Sequence, residues 1–199
     1  MSAILLLLTV SAALTQSARP DSVVYRLLPS SRFEARTGKT GFFSFVGHEH
    51  LIRARSPSGR IVLHPDAVHS STVRIVIPID SLEVMTPPDS AEIRKVTKAM
   101  REDVLHADIY REIAFVSTAV TSIEGGFRVR GQLTLVGQTR EVSVDLTGVS
   151  GRDTLRLEGR FPINQTEYGI KPYRGGPAGV VRVADRVELR LVAVAVRGN

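Results

Sequence analysis

The sequence predicts a mainly-β domain, an antiparallel barrel or sandwich of about eight strands with one inserted helix. Three observations lead there. Most of the chain beyond residue 22 alternates apolar and polar residues with a period of two, the mark of half-buried antiparallel strands. In one stretch, about residues 89–106, the period becomes that of an amphipathic helix. None of the 199 residues is cysteine, so a disulfide framework, a zinc–thiolate site and a thiol nucleophile are all excluded.

Taken in order, the chain opens with MSAILLLLTVSAALTQSARP. The apolar run Ile4 to Leu14, followed by small residues, reads as a secretory signal peptide over about residues 1–18 and is short for a membrane span. That leaves one domain, residues 19–199, in a periplasmic or secreted setting. Val23 to Pro29 and Ser31 to Arg36 read as strands, and Thr37 to Gly41 as a turn. Gly41 to Arg55 is rich in aromatic and β-branched residues and reads as one or two strands broken near Gly47. After a turn at Ser56 to Gly59 come strands at Arg60 to His64 and Ser71 to Ile79. Asp89, with Glu92 three residues on, forms a capping box for the helix, whose face is Ile93, Val96, Met100 and Val104. Strands follow at Glu112 to Thr121, Leu155 to Phe161 and Val187 to Ala195, with a Gly- and Pro-rich loop between Asn164 and Gly179.

The clearest element is the hairpin Gly125 to Val149. Phe127, Val129, Gly131, Leu133 and Leu135 share one face, and Arg128, Arg130, Gln132 and Thr134 share the other. Placing Gly137-Gln138 in a type II′ turn pairs Leu133 with Val142, Gly131 with Val144 and Val129 with Leu146, and sets Arg130 opposite Asp145.

The formal net charge is +6 and the sequence pI about 10.2. The arginines alternate with apolar residues along strands, as on solvent faces, rather than running in clusters. This leaves weak contact with an anionic membrane surface as the electrostatic partner, and no nucleic acid. His48 and His50, two apart with Glu49 between, are the alternative metal ligands, although no third ligand is identified. No nucleotide-binding glycine motif and no nucleophile motif is present, and the carboxylates fall at element ends or on wet faces, so no catalytic residue is assigned. The apolar faces hold Phe42, Phe43, Phe45, Phe115, Phe127 and Phe161, which could wall an apolar slot, and Gly131 and Gly159, which leave space on inward faces. A filled, dry core is the ordinary alternative.

Gly131 to Val142, GQLTLVGQTREV, resembles the hairpin G-D-L-T-I-x-G-V-T-R-x-V of the YceI-like family. Met100 to Ser117 is similar to that family's segment with Tyr, Ile, Phe and Ser at the places of Tyr110, Ile113, Phe115 and Ser117. Ile79 to Leu82 and Asn164 to Ile170, which keeps Tyr168-Gly169-Ile170, resemble two further motifs, and His48 or His50 stands at the family's strand histidine. Departures are Arg111 in place of a proline, Asn164 or Gln165 in place of a loop arginine, and the dense His48-Glu49-His50. The resemblance implies an extended eight-stranded antiparallel lipocalin-like β-barrel holding an isoprenoid or quinone-like lipid in an apolar tunnel. It implies no other cofactor and no catalysis. Phe42, Phe43, Phe45, Phe115, Phe127, Val129, Leu133 and Phe161 are then expected along the tunnel, with His48, His50 and Tyr168 toward its mouth. A dimer is compatible with this reading, which does not fix the oligomeric state.

Overall fold

The structure is a computed structural model that describes residues 22–39, 50–86, 90–175 and 181–198. The expected signal peptide and Phe42, Phe43, Phe45 and His48 lie outside these residues.

Eight antiparallel strand lines close into a barrel, and three of the lines are broken. β1 (Val23–Leu27) and β2 (Arg32–Lys39) follow one another along the same edge of β12 (Val181–Arg197). β3 (Leu51–Ala54) and β4 (Ser58–Leu63) run back beside them, β3 on β2 and β4 on β1. β5 (Thr72–Pro78) pairs with β4, then a 3₁₀ turn at Ile79–Ser81 leads into β6 (Leu82–Val84) on β3. β7 (Glu112–Ile123), β8 (Gly126–Leu135), β9 (Gln138–Ser150) and β10 (Thr154–Asn164) go up and down in sequence order from β5. β12 pairs with β10 on one side and β1 on the other, which closes the ring and leaves those strands no free edge. β11 (Arg174–Gly175) is a two-residue addition beside the start of β12.

The broken lines keep their polar groups satisfied. At the gap between β1 and β2, Ser31 Oγ donates to Val194 O at 2.9 Å and accepts from Val194 N at 3.0 Å, replacing the missing ladder bonds. The free edge of β6 is met by the helix. α1 (Ser90–Ala99) continues as a π turn over Met100–Val104, and Val96, Met100, Val104 and Leu105 pack into the core. Thr97 and Arg101, four residues apart and so on one helix face, reach the strand together. Thr97 Oγ1 accepts from Val84 N at 3.1 Å, and Arg101 Nε donates to Leu82 O at 2.9 Å. A helix thus takes over the hydrogen bonds of a strand edge that no other strand covers among the described residues. The helical segment ends in a Schellman-type turn, with His106 at φ +49° and Ala107 N–H donating to Arg101 O at 2.8 Å.

Several local expectations need correction. Thr37 and Gly38, expected as a turn, continue β2, because β12 extends back to Val181 and pairs as far as Lys39 with Val183. The loop expected from Asn164 to Gly179 contains a 3₁₀ turn at Gln165–Tyr168 as well as β11. The main hairpin turns one residue earlier, at Val136-Gly137, with φ values of +49° and +71° as a type I′ turn requires. The register therefore differs by two residues. Leu133 lies opposite Arg140, Gly131 opposite Val142 and Val129 opposite Val144. A slip of two leaves every side chain on its expected face but changes every partner. Asp145 is consequently opposite Arg128, at 2.6 Å, and not Arg130.

Candidate ligand-binding cavity

The barrel interior holds two buried clusters. One, toward the helix, includes Ile79, Val84, Met100, Leu133, Leu135 and Tyr168. The other, toward the opposite end, includes Tyr25, Ile61, Val129, Leu146, Leu155 and Ala195. Phe115 and Phe161 pack against both and form the waist between them.

A cavity of about 260 Å³ runs through both clusters, and its lining is almost wholly apolar. Phe127 and Leu135, both in the lining, are eight residues apart on β8. At about 3.3 Å per residue that is roughly 26 Å along the strand. A strand tilt of about 40° makes it roughly 20 Å along the barrel axis. The cavity is therefore long and narrow, a shape suited to an extended hydrocarbon chain rather than a compact ligand. Polar side chains meet it at the ends. Thr37 and Gln165 stand at the helix end and Ser71 at the other. An apolar cavity of this kind does not retain water, because water needs several polar partners.

Of the residues singled out in the sequence, Phe115, Phe127, Val129, Leu133 and Phe161 line the cavity. His50 stands just outside it. Its backbone N–H donates to Thr37 Oγ1 at 3.2 Å, and its Nδ1 lies 2.9 Å from Thr86 O, which assigns the proton to that nitrogen. Tyr168 is buried in the helix-end cluster without lining the cavity, and its hydroxyl has no hydrogen-bond partner among the described residues. Burial pushes its phenol above the usual tyrosine range; the neighbouring Glu167 carboxylate adds to the rise and Arg140 opposes it.

Gly131 and Gly159 do not leave open space. A Cβ on Gly131 would stand 2.5 Å from Phe115 Cζ, and one on Gly159 would stand 2.6 Å from Asp145 O. Neighbouring atoms have taken up the room. Sequence reading passed over Phe33, Met100, Leu105 and Ile170, which also line the cavity. Phe33 was visible in the alternation Phe33, Ala35, Thr37 against Glu34 and Arg36. Ile170 follows a 3₁₀ turn, where no strand or helix period marks a face.

Chemically, this arrangement can desolvate an apolar chain and hold a polar end at a rim. Among the described residues no histidine lines the cavity, its two hydroxyl residues Thr37 and Ser71 are at opposite ends, and no three metal-ligating side chains come together.

The YceI-like domain model matches residues 30–195. Among solved structures, the chain is similar to BcnA of Burkholderia cenocepacia, at 19% identity and a TM-score of 0.64, over 82% of this chain and 95% of that one. It is also similar to a polyisoprenoid binding domain from Saccharophagus degradans implicated in plant cell wall breakdown, at 13% identity and a TM-score of 0.60, over 88% and 99% of the two chains. A Campylobacter jejuni YceI protein aligns at 14% identity with a TM-score of 0.56, over 74% and 84%. At these identities the likeness establishes a shared fold. No curated protein matches the sequence.

Proposed function

The chain belongs to the YceI-like family, and from that premise we propose that it is a non-catalytic carrier of an isoprenoid, a quinone or a similar amphiphilic lipid. The observation that carries this reading is the long apolar cavity through the barrel. The cargo's hydrocarbon chain lies along Phe127, Val129, Leu133, Phe115 and Phe161. Removing it from water supplies the affinity, at roughly 0.8 kcal/mol per buried methylene. The polar end rests at the helix end of the barrel, where Thr37 and Gln165 offer polar groups beside His50. The likeness to the polyisoprenoid binding domain from Saccharophagus degradans supports the same class of ligand.

The carrier is exported, with the first 18 or so residues removed. Mass spectrometry of the N-terminus of protein recovered from outside the cytoplasm tests this.

The cargo is tested by organic extraction of purified mature protein and mass spectrometry of the extract. A stoichiometric lipid with a long apolar chain is the expected result. A blank extract, still blank after incubation of the protein with total lipid, would overturn the carrier reading.

A further inference from the structure

Acidic residues are unevenly distributed over the strands of the barrel. β1, β4, β5, β7 and β8 form one contiguous side. They carry Arg26, Arg60, Arg74, Arg128 and Arg130 but a single acidic residue, Glu112 at the first position of β7. Glu34, Glu83, Asp145, Glu158 and Glu188 all sit on the remaining strands. There acidic residues accompany the arginines: Arg53 meets Glu34 and Arg55 meets Glu83, both at 2.7 Å, and Asp145 takes Arg128 at the seam.

On the side poor in carboxylates, three arginines stand in one row. Arg26 on β1 is directly opposite Arg60 on β4, and Arg60 is directly opposite Arg74 on β5. All three are exposed, and among the described residues none has an ion-pair partner. Directly opposite residues of antiparallel strands have Cβ atoms about 5 Å apart, and like charges in such places disfavour the fold. That spacing is well inside the screening length of about 8 Å in physiological salt, so the three guanidinium groups act together on an outside anion. The row continues into Val116 on β7, which is 43% exposed, and is flanked by the partly exposed valines Val24, Val62 and Val76.

We propose that this face docks the protein on an anionic lipid bilayer, the row Arg26–Arg60–Arg74 meeting phosphate headgroups and the valines resting against the interface. Cationic side chains interleaved with apolar ones suit the headgroup boundary. Nucleic acid suits it poorly: the outward residues of these five strands include no aromatic ring on which a base could stack. Docking goes beyond cargo binding and does not depend on it, although it would bring a lipid carrier to its source.

The test is flotation of the purified protein with vesicles of phosphatidylcholine alone or of phosphatidylcholine and phosphatidylglycerol in equal parts. Association with the anionic vesicles only, weakening as sodium chloride is raised, is expected. Arg26→Gln, Arg60→Gln and Arg74→Gln combined should reduce partitioning on the order of a hundredfold, at roughly fivefold per arginine. The triple variant relieves like-charge contacts and should melt no lower than the parent. A control with the same charge change on β10 and β12, Arg156→Gln, Arg160→Gln and Arg186→Gln, should bind nearly as the parent does. Equal loss in both variants would reduce the effect to net charge and overturn the assignment of this face. Absence of vesicle binding in the parent would overturn it too, as would binding to duplex DNA without binding to vesicles. Extracting lipid from each variant reads the cargo separately, so failure to dock and failure to carry are told apart.

Discussion

The ring of Phe115 occupies the place where residue 131 would project a side chain, and residue 131 is glycine. A Cβ there would come within 2.5 Å of both Phe115 Cζ and Val116 O. The contact lies at the waist of the barrel, since Phe115 packs against both core clusters. The ring could rotate away from an added methyl group, but the Val116 carbonyl is held in the β5–β7–β8 ladder.

Gly131→Ala should therefore destabilise the protein by about 1–3 kcal/mol, the range for overpacking a tight interior. Adding Phe115→Leu should recover only part of the loss, because the carbonyl contact remains. Chemical denaturation of the single and double variants checks this, and full recovery would mean that the ring alone is the obstacle.

Val136 occupies left-handed backbone, φ +49°, in the turn between β8 and β9. A β-branched residue is strained there, while asparagine adopts this conformation readily. Val136 also packs against the helix-end cluster, so replacing it loses contacts as well as strain. Comparing two truncations separates the effects. Val136→Asn should be more stable than Val136→Ala by about 1 kcal/mol, as the alanine keeps most of the backbone cost. Equal melting temperatures would show that the turn relaxes without its native dihedrals.

Cargo should depend on the cavity wall. Phe127→Arg places an unpaired charge beside an apolar chain and should abolish lipid recovery. Ala193→Leu is the milder probe. Ala193 is buried in the lining, so leucine fills the passage with apolar atoms, at a cost of about 1–3 kcal/mol in stability. A folded Ala193→Leu protein should release much less lipid than the parent, measured by extraction and mass spectrometry. Unchanged recovery from folded variants at both positions would place the cargo elsewhere.

The Arg128–Asp145 pair predicts an acid-side dependence. The hydrogen bond from Arg128 holds the Asp145 carboxyl below its ordinary value, and the positive charge acts in the same direction. The folded pKa is lowered relative to the unfolded chain. The pair's contribution is thus fully present above the unfolded value of about 3.9 and disappears as pH falls through the folded one. Both groups are solvent-exposed, so the effect on stability is small and screened by salt. An NMR titration should find the Asp145 carboxyl below the ordinary aspartate value, and Arg128→Gln should return it there. A carboxyl already at the ordinary value in the parent would show that the pair does not persist in solution.

Much of this architecture can be read from local pattern. The alternation in Phe127 to Leu135 assigns each side chain to the inside or the outside, because the pleat of a single strand has a period of two. The same logic identified Phe115, Phe127, Val129, Leu133 and Phe161, all of which line the cavity. The helical period placed the α-helix of the described residues to within a few residues of Ser90–Val104, while the expected Asp89 cap lies outside those residues. These features are set by the chain's own backbone geometry over a few residues, and so are present in the sequence wherever the alternation is.

Who stands beside whom is another matter. The type I′ turn at Val136-Gly137 moved every partner in the central hairpin by two residues while leaving every face unchanged. Arg26, Arg60 and Arg74, scattered in the sequence and each alternating with apolar neighbours, became adjacent only because β1, β4 and β5 pair in that register. Gly131 was legible as inward-facing, but only packing revealed that Phe115 takes up its space. The faces of the strands and the position of the helix are legible in the chain, because they follow from dihedral preference and burial along one segment. Tertiary structure alone decided the register, the closure of β12 on β1 and the contents of the interior, because hydrogen bonds and van der Waals contacts between distant segments choose among pairings that local pattern leaves equivalent.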